Sequence, residues 1–254
     1  MKGIIVVRTR IMSDLHLNPL SKTGDFRYED LGEDVCILAG DISEGMSGVY
    51  WALDNIPEHI RVFYVPGNHE YYGTGFDDFN DKMSDKCYNT RGAYYLNPDA
   101  VVIDGVKFIG ATLWTNFADN PFSQSAAKRG INDFRMIRDF DVNRCAKTYY
   151  EHLGFIKQAY EERGPNKVVV ITHFLPAREC IAQRFRGPDL INDYFANDLG
   201  DYISNLSDTT WLFGHTHDAT DIVLGDTHVV ANPHGYYTAQ NDGIGFDPFK
   251  TITV

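Results

Sequence analysis

Short apolar runs recur along the chain and predict β-strands. Runs rich in β-prone residues and bounded by polar or turn residues are typical of buried strands. Such runs occupy residues 35–39, 61–65, 101–103, 106–111, 167–172, 210–213, 227–231 and 251–254. The apolar stretch 1–7 also favours a first or edge strand. It is too short to hold the apolar region and cleavage site of a signal peptide.

Apolar residues at helical spacing predict helices between these strands. In the first of them, Val49, Leu53 and Ile56 recur at that spacing. Helices are predicted over residues 46–56, 76–87, 142–163 and 192–204. The first third alternates strands and helices and the second half is rich in strands, a pattern typical of α/β proteins. The whole chain, 1–254, is therefore predicted to form a single α/β domain.

Residues 114–141 break this pattern. They mix Asn, Asp, Arg and Phe without a clear period. Long irregular segments inside compact domains are often functional. We therefore expect substrate contacts in this segment.

Composition and charge narrow the classes of function. The chain is 43% hydrophobic, which is enough for an ordinary core, and its net charge is −12. Nucleic-acid binding normally rests on a basic face that displaces counterions, and no Lys/Arg block of that kind is present. Stable nucleic-acid binding is therefore not expected, and a small phosphorylated substrate fits better.

Cysteine usage and hydropathy bear on location. The four cysteines are scattered without a C-x-x-C pair: Cys36, Cys87, Cys145 and Cys180. This pattern favours a reducing cytoplasm over a disulfide framework. No run approaches the ~20 apolar residues that a membrane helix needs, so no membrane association is expected.

Polar side chains follow five of the apolar runs and carry candidate chemistry. The segments are Asp14-Leu15-His16, Gly40-Asp41, Gly67-Asn68-His69-Glu70, His173 and Gly214-His215-Thr216-His217. Carboxylate and imidazole ligands suit Mn, Fe, Zn, Co or Ni, and the lack of cysteine ligands argues against a purely structural site. Two divalent metals held by such a set usually indicate hydrolysis at phosphorus or at a peptide-like carbonyl.

Each residue taken alone also has a structural interpretation. A single Asp or Asn after a strand is often a turn or cap residue, and His173 alone also fits a core histidine. His215 and His217 would point to opposite sides of an extended segment, so they can serve one site only if the chain turns there. Three further histidines are predicted to be solvated: His59, His152 and His228.

Together, the five segments resemble the motifs of the calcineurin-like metallophosphoesterase superfamily, from Asp14 to His217. The resemblance implies an α/β fold, a four-layer αββα sandwich with a dinuclear metal site at the strand ends. It assigns Asp41 as the ligand that bridges two divalent ions. It gives one ion to Asp14, His16 and His217, and the other to Asn68, His173 and His215.

The resemblance also implies a role for His69, which follows a ligand without being one. It would protonate the leaving-group oxygen or stabilise charge there. In protein-phosphatase relatives, an acidic residue three positions after the bridging Asp orients this histidine. Glu44 occupies that position here, so a Glu44–His69 pair is our hypothesis, with a solvated loop carboxylate as the alternative.

One difference from the protein-phosphatase motif narrows the class of expected substrates. Serine/threonine protein phosphatases carry G-D-x-V-D-R-G, whose Arg binds phosphate, and Gly45 stands at that position here. Membership of that class is therefore disfavoured. The groups expected to bind phosphate are instead Arg129, Arg135, Arg138 and His234. Surface salt bridges are the alternative for each arginine. The pair Tyr71-Tyr72 is a candidate for contact with a substrate ring, with core packing as the alternative.

The expected activity is hydrolysis of a small phosphodiester or phosphomonoester, with nucleotides among the candidates. The nucleophile would be a hydroxide that bridges two divalent ions (Mn, Fe, Zn or Ni), and His69 would assist the leaving group. The alternatives are a cyclic-nucleotide phosphodiesterase, a nuclease and a non-catalytic scaffold. Scaffolds of this type typically lose ligands or the histidine, and here all are present.

Overall fold

Two β-sheets form the centre of the computed structural model, which describes residues 6–17, 26–90, 92–187, 189–236 and 243–254. In spatial order, the first sheet contains β11 (Thr251–Thr253), β1 (Arg8–Met12), β2 (Val35–Ala39), β3 (Arg61–Val65) and β4 (Ala93–Tyr95). The second contains β5 (Asp99–Ile103), β6 (Val106–Ala111), β7 (Lys167–Thr172), β8 (Thr209–Phe213), β10 (Thr227–Ala231) and β9 (Thr220–Leu224).

Parallel pairing places the ends of successive strands at the same edge of each sheet. In the first sheet, β1 pairs in parallel with β2, and β2 with β3. In the second sheet, β6, β7, β8 and β10 are parallel neighbours. The loops that leave these strands at their carboxyl ends are therefore brought close together.

Strand β2 is buried on both faces, which accounts for its continuous apolar run. Side chains alternate across a strand. Ile37 faces the layer between the sheets, whereas Cys36 and Leu38 face the opposite side. In the layer between the sheets, Phe63 of the first sheet stacks on Phe108 of the second, with ring centroids 4.4 Å apart. This apolar layer joins the two sheets face to face.

Helices flank the two sheets. Their bounds are α1 (Ser47–Asn55), α2 (Phe76–Tyr88), α3 (Pro121–Gly130), α4 (Asp133–Met136), α5 (Val142–Glu161), α6 (Asn192–Phe195) and α7 (Gly200–Ser204). Helix α2 packs against β4, and α5 packs against β6. The α/β architecture of two sheets flanked by helices is confirmed, whereas the single-domain boundary stays a prediction.

The single helix predicted over 192–204 is wrong. The chain forms α6, leaves the helical conformation at Ala196, and forms α7. The Asn197 amide donates hydrogen bonds to the carbonyls of Trp114, at 2.8 Å, and Leu175, at 3.2 Å. Because these bonds need an extended chain at this point, they outweigh the local helical pattern.

Residues 114–141 are more regular than predicted. They contain a 3₁₀ turn at Phe117–Asp119 and helices α3 and α4. The side chain of Asn120 caps α3 by accepting a hydrogen bond from the N–H of Phe122 at 3.0 Å. An Asn-Pro pair is a typical helix start, but it is a local signal that hydrophobic periodicity does not contain.

The first strand begins later than predicted, at Arg8. Residues 1–5 lie outside the described part of the chain, and Val7 exchanges backbone hydrogen bonds with Val254. Arg10 of this strand is fully buried, and its guanidinium lies 3.2 Å from the Glu33 carboxylate. Strands β4 and β9 were not predicted.

All four cysteines are free and buried. None of the helices in the described ranges combines the length and the apolar character that crossing a bilayer requires.

Candidate metal centre

The seven predicted ligands lie together where loops from the two sheets meet. These loops follow β1, β2 and β3 of the first sheet and β7 and β8 of the second. The N–H of Asp14 donates to the carbonyl of Gly40 at 2.9 Å, and the N–H of Gly214 donates to that of His173 at 3.0 Å. Across the sheets, the N–H of His215 donates to the Asp14 carboxylate at 3.0 Å. Backbone hydrogen bonds thus fix the loops against each other.

Asp14, His16 and His217 form the first group of candidate ligands. Their ligand atoms all lie within 4.8 Å of one another. The Nε2 atoms of His16 and His217 are 3.2 Å apart, and His217 Nε2 is 3.7 Å from Asp14 Oδ1. This is the division of residues that the family resemblance implied for one ion.

Asp41, His173 and His215 form the second group, again with ligand atoms within 4.8 Å of one another. His173 Nε2 is 3.5 Å from Asp41 Oδ2 and 3.1 Å from Asn68 Oδ1. His173 Nδ1 lies 2.9 Å from the carbonyl of Ala39, to which it donates, so Nε2 faces the cluster. A hydrogen bond on the other ring nitrogen is the usual way in which a ligating histidine is oriented.

Asp41 belongs to the second group and also lies close to the first. Its Oδ2 is 3.5 Å from His173 Nε2 and 3.8 Å from His16 Nε2. Its Oδ1 accepts a hydrogen bond from the N–H of His69 at 2.9 Å. A carboxylate in this position can contact an ion in either group.

The donor set fits divalent cations. His215 Nε2 is buried and has no hydrogen-bond partner among the described residues, as expected of an atom that faces a cation site. Burial lowers the pKa of His16 and of His215 well below the ordinary value, which keeps both rings in the neutral form that binds metals. Burial opposes ionisation of Asp41, yet His173 and His69 hold its pKa well below the ordinary value.

Two further members of the cluster, Asp14 and His173, have raised pKa values, which a bound cation would lower. Burial raises the pKa of Asp14 to about 6. Burial disfavours the charged form of His173, but Asp41 outweighs it and raises the pKa of that ring to about 9. A cation that binds here would therefore displace protons, as metal binding to imidazole and carboxylate ligands generally does.

Four of the candidate ligands adopt left-handed backbone conformations. The φ angles are 53° at Asp14, 44° at His16, 54° at Asp41 and 68° at His215. Non-glycine residues rarely adopt this region, and the cost is of order 1–3 kcal/mol each. Such strain is concentrated at functional sites, because only the surrounding structure can maintain it.

The turn that the two neighbouring histidines require is present, and His215 makes it. The N–H of Thr216 donates to the carbonyl of Gly214 at 2.8 Å, which closes a three-residue turn around His215. The turn sends His215 to the second group and His217 to the first. Asp218, the next residue after His217, pairs with Arg184.

Gly67 is required by close approach. A Cβ atom at this position would lie 2.2 Å from Asp41 Oδ1 and 2.7 Å from His173 Cε1. No side chain fits there without displacing candidate ligands. The glycine of Gly67-Asn68-His69-Glu70 therefore serves the packing of the cluster.

Glu70 ties the loops after β2 and β3 together. Its carboxylate accepts hydrogen bonds from the N–H groups of Asp41 at 2.9 Å, Ile42 at 2.7 Å and Gly67 at 2.7 Å. The Tyr64 hydroxyl donates a fourth at 2.8 Å. Burial raises the pKa of Glu70 to about 7. The last residue of the motif thus positions the backbone of a candidate ligand.

His69 lies beside the cluster, but Glu44 does not lie beside His69. His69 Nε2 is 3.9 Å from Asp41 Oδ2 and 3.2 Å from the Tyr236 hydroxyl. Its ring packs on Tyr72, with centroids 4.4 Å apart. Glu44 is exposed, and none of the hydrogen bonds or ion pairs between described residues joins it to His69. The side chains that contact His69 are therefore His16, Asp41, Tyr72 and Tyr236.

Asp133 is a buried carboxylate next to the cluster that the sequence analysis did not single out. It accepts hydrogen bonds from Asn68 Nδ2 at 3.0 Å, the Tyr72 hydroxyl at 2.7 Å and the Tyr194 hydroxyl. Burial raises its pKa, against the effect of these three donors. It lies in segment 114–141, where we expected substrate contacts, and it contacts a candidate ligand.

A cavity of about 940 Å³ opens beside the cluster. Asp41, Asn68, His69, His215 and His217 form its polar end. Its other walls are largely apolar and aromatic, formed by Tyr72, Ile131, Leu175, Ile181, Phe185 and Phe195. A cavity of this size and composition is typical of small-molecule sites.

The predicted phosphate-binding groups lie outside this cavity. Arg129 and Arg135 are exposed and bond to Ser125 and Asn132, respectively. Arg138 pairs with Asp78 at the surface. His234 packs against Phe246, with ring centroids 5.0 Å apart. Residues 130–133 do line the cavity, but with backbone and uncharged or acidic side chains.

Two arginines line the cavity that sequence patterns did not indicate. Arg184 forms a two-pronged ion pair with Asp218, at 2.8 and 2.5 Å. Arg186 donates to the backbone carbonyls of Ile181 at 2.9 Å and Glu179 at 3.0 Å. It has no carboxylate partner in the described part of the chain, so its positive charge is held in place without being neutralised.

The two neighbouring tyrosines have different surroundings. Tyr71 is fully buried and stacks on Phe76, with centroids 4.8 Å apart. Tyr72 lines the cavity beside His69. The core-packing alternative therefore describes Tyr71, and only Tyr72 is placed to meet a substrate.

A family model and one relative match most of this chain, and a second relative matches about a quarter of it. A family model described as calcineurin-like phosphoesterase matches residues 7–219. The uncharacterized protein L509 of Acanthamoeba polyphaga mimivirus is 26% identical over 275 residues, which are 96% of this chain and 96% of that protein. The acyl-carrier-protein phosphodiesterase PptH of Mycobacterium tuberculosis is 35% identical over 69 residues, which are 26% of this chain and 21% of that protein.

The crystal structure of the phosphopantetheinyl hydrolase PptH from Mycobacterium tuberculosis has a similar fold. It superposes with a TM-score of 0.70 at 18% sequence identity, covering 90% of this chain and 89% of that one. At this level of identity, the likeness supports the fold alone.

Proposed function

The chain belongs to the calcineurin-like phosphoesterase family, a family of phosphoric ester hydrolases, and we propose from this premise that it cleaves a small phosphodiester at the cluster beside the cavity. The observation that carries the proposal is the convergence of the seven candidate ligands and His69 at the polar end of one cavity.

We propose that the cluster holds two divalent ions, Mn, Fe, Zn or Ni. When bound, such ions stabilise negative charge on the phosphate oxygens and make a water acidic enough to ionise near neutral pH. Asp14, His16 and His217 would hold one ion, and Asn68, His173 and His215 the other. Asp41 would contact both. The neutral amide of Asn68 limits the negative charge that an arriving phosphate must meet.

His69 is the group proposed to act on the leaving oxygen. It lies at the cavity wall, and its ring is held by Tyr72 and by the Tyr236 hydroxyl. A histidine in this position can donate a proton from Nε2 to the departing alkoxide. In place of the Glu44 hypothesis, we propose that Asp41 and Tyr236 orient and polarise this ring.

The cavity favours a phosphodiester over a phosphomonoester as the substrate. Its volume of about 940 Å³ exceeds what an inorganic phosphate group occupies, and its walls away from the cluster combine apolar and aromatic side chains with Arg184, Arg186 and Asp189. A diester carries an organic group on both sides of phosphorus, and such walls would bind the second group. The name of PptH, a phosphodiesterase, points in the same direction.

Arg186 is the proposed contact for the substrate's anionic oxygens, in place of Arg129 and Arg135. Its guanidinium is fixed by two backbone carbonyls and lines the same cavity. Guanidinium groups that are held in a fixed orientation commonly bind phosphate. The aromatic walls at Tyr72 and Phe195 leave a nucleotide, cyclic or linear, among the candidate substrates.

The test compares chromogenic diester and monoester substrates. Metal-stripped protein is assayed with bis(4-nitrophenyl) phosphate and 4-nitrophenyl phosphate after addition of Mn²⁺, Ni²⁺, Zn²⁺ or Mg²⁺. We expect metal-dependent turnover with a preference for the diester, abolished in Asp41→Asn. A preference for the monoester would instead make this protein a phosphatase. Binding of both ions without turnover of either ester, or of a panel of nucleotides, would favour a scaffold.

A further inference from the structure

Asn68 can hold an ion only through its amide oxygen, so the proposed site depends on which way the amide points. A rotation of 180° about the terminal bond exchanges Oδ1 with Nδ2 at little cost in shape. In this structure Oδ1 lies 3.1 Å from His173 Nε2, on the cluster side, and Nδ2 lies on the opposite side. Some group must favour this orientation over the reverse.

We propose that Asp133 is a positioning residue that fixes the Asn68 amide with its oxygen toward the second ion. The Asp133 carboxylate lies 3.0 Å from Asn68 Nδ2. An ionised carboxylate accepts hydrogen bonds and cannot donate them. The amide must therefore present its NH₂ group to Asp133, and its oxygen faces the cluster as a consequence.

Two tyrosines keep Asp133 in the acceptor role. The Tyr72 hydroxyl donates to Oδ1 at 2.7 Å, and the Tyr194 hydroxyl donates to Oδ2. Asp133 is 1% exposed, so water does not compete for these bonds. With three donors directed at it, the buried carboxylate has most of its acceptor positions filled by protein groups.

Chain topology shows that this contact is long-range. Asp133 begins α4, 65 residues beyond Asn68, in the segment that also lines the cavity. The segment thus supports one ligand of the second group from behind, while its neighbouring residues form the wall that a substrate would touch. The inference rests on the proposed two-ion site and concerns only the orientation of one of its ligands.

The test measures metal binding and does not require a known substrate. Metal-stripped wild type and Asp133→Asn are titrated with Mn²⁺, and free Mn²⁺ is followed by electron paramagnetic resonance. The introduced amide can offer its own NH₂ group to the Asn68 oxygen, which permits the reversed orientation. We expect two ions in the wild type. In Asp133→Asn one of them should bind about 10–100-fold more weakly, the usual effect of losing a partner of a metal ligand.

A matched control is Asp193→Asn. Asp193 is another buried aspartate of the same region, bonded to Ser123 and Arg178 and to none of the candidate ligands. We expect this variant to bind both ions as the wild type does. Melting temperatures of the metal-free proteins compare the cost of the two substitutions to the fold.

A reciprocal exchange separates positioning from packing. In the double variant Asn68→Asp with Asp133→Asn, the side chain at position 68 accepts only, and the amide at position 133 donates to it. Recovery of the second ion would support the proposal. Wild-type affinity in Asp133→Asn, or a loss that the exchange does not recover, would overturn it. If the wild type bound no divalent ion, the proposed function itself would fail.

Discussion

His152 accepts, at Nδ1, a hydrogen bond from the backbone N–H of Leu113, 3.2 Å away in the core. Leu113 and Trp114 have φ angles of 74° and 54°, so the chain turns sharply as it leaves β6. Burial lowers the pKa of His152 to about 3. The folded protein therefore holds a neutral imidazole there, and the solvated position predicted for His152 is wrong.

This buried ring predicts a loss of stability in acid. The folded pKa, about 3, lies below the unfolded value of 6.5. The neutral ring's contribution is therefore complete above about pH 6.5 and declines as pH falls toward 3. In His152→Gln, whose amide oxygen can still accept from Leu113, the free energy of unfolding should fall less steeply by up to ~1.4 kcal/mol per pH unit below pH 6.5.

Urea unfolding of the metal-free proteins between pH 7 and pH 4.5 measures this difference. His59→Gln is the control, because the side chain of His59 is 63% exposed. In this control, the free energy of unfolding should change with pH as steeply as in the wild type. Equal slopes for His152→Gln and the wild type would contradict the prediction.

The role of His69 predicts a dependence on the leaving group. Loss of a positioned general acid costs about 10²–10⁴-fold in rate, and we expect this loss in His69→Asn with an alkyl phosphodiester. With bis(4-nitrophenyl) phosphate the loss should be much smaller, because nitrophenolate leaves without a proton. The measurement is kcat for both esters at saturating Mn²⁺. An equal loss with both esters would assign His69 to metal binding instead.

The close approach at Gly67 predicts that one methyl group disrupts the cluster. In Gly67→Ala the new Cβ would lie 2.2 Å from Asp41 Oδ1, so Asp41 or the loop must move. We expect weakened binding of Mn²⁺ and a lower melting temperature. Gly154→Ala is the control, because that helical glycine has open space around its Cβ position and alanine should stabilise the helix by up to ~1 kcal/mol. Unchanged metal affinity in Gly67→Ala would show that the cluster tolerates a shift of Asp41.

The position of Arg186 predicts an effect on substrate binding. A hydrogen bond to a charged group contributes about 1.5–3 kcal/mol, which corresponds to a change in KM of roughly 10–100-fold. Arg186→Ala should raise KM by that factor while leaving kcat within a few-fold. Arg135→Ala, outside the cavity, should change neither value. If Arg135→Ala raised KM and Arg186→Ala did not, the substrate would be bound by segment 114–141, as the sequence predicted.

The strands that border the site were predictable, because burial on both faces leaves an unbroken apolar run. The bounds predicted for β2, β3, β6, β7 and β10 are those of the structure. Strand β1 was misplaced since its centre is Arg10, whose charge is balanced by Glu33 from a distant loop. A pattern of hydrophobicity cannot anticipate a buried ion pair between distant residues.

The candidate ligands could likewise be predicted from the sequence, because each follows a strand in a short motif. Their supporting residues were not. Asp133 and Arg186 lie in segments without period, and their significance depends on contacts with residues far away in the chain, or on the cavity they line. Glu70 is the last residue of the Gly67-Asn68-His69-Glu70 segment, but its role becomes visible only in the backbone donors that surround it.

The pairing of His16 with His217 has a mechanical consequence. These two residues are 201 positions apart, so an ion held between them would close a loop that contains most of the chain. Such an ion would act as a reversible cross-link between the loop after β1 and the loop after β8. Pulling the protein from residues 7 and 254 should first separate β11 from β1, and the metal centre should then resist further extension. The force required would depend on the concentration of free ion.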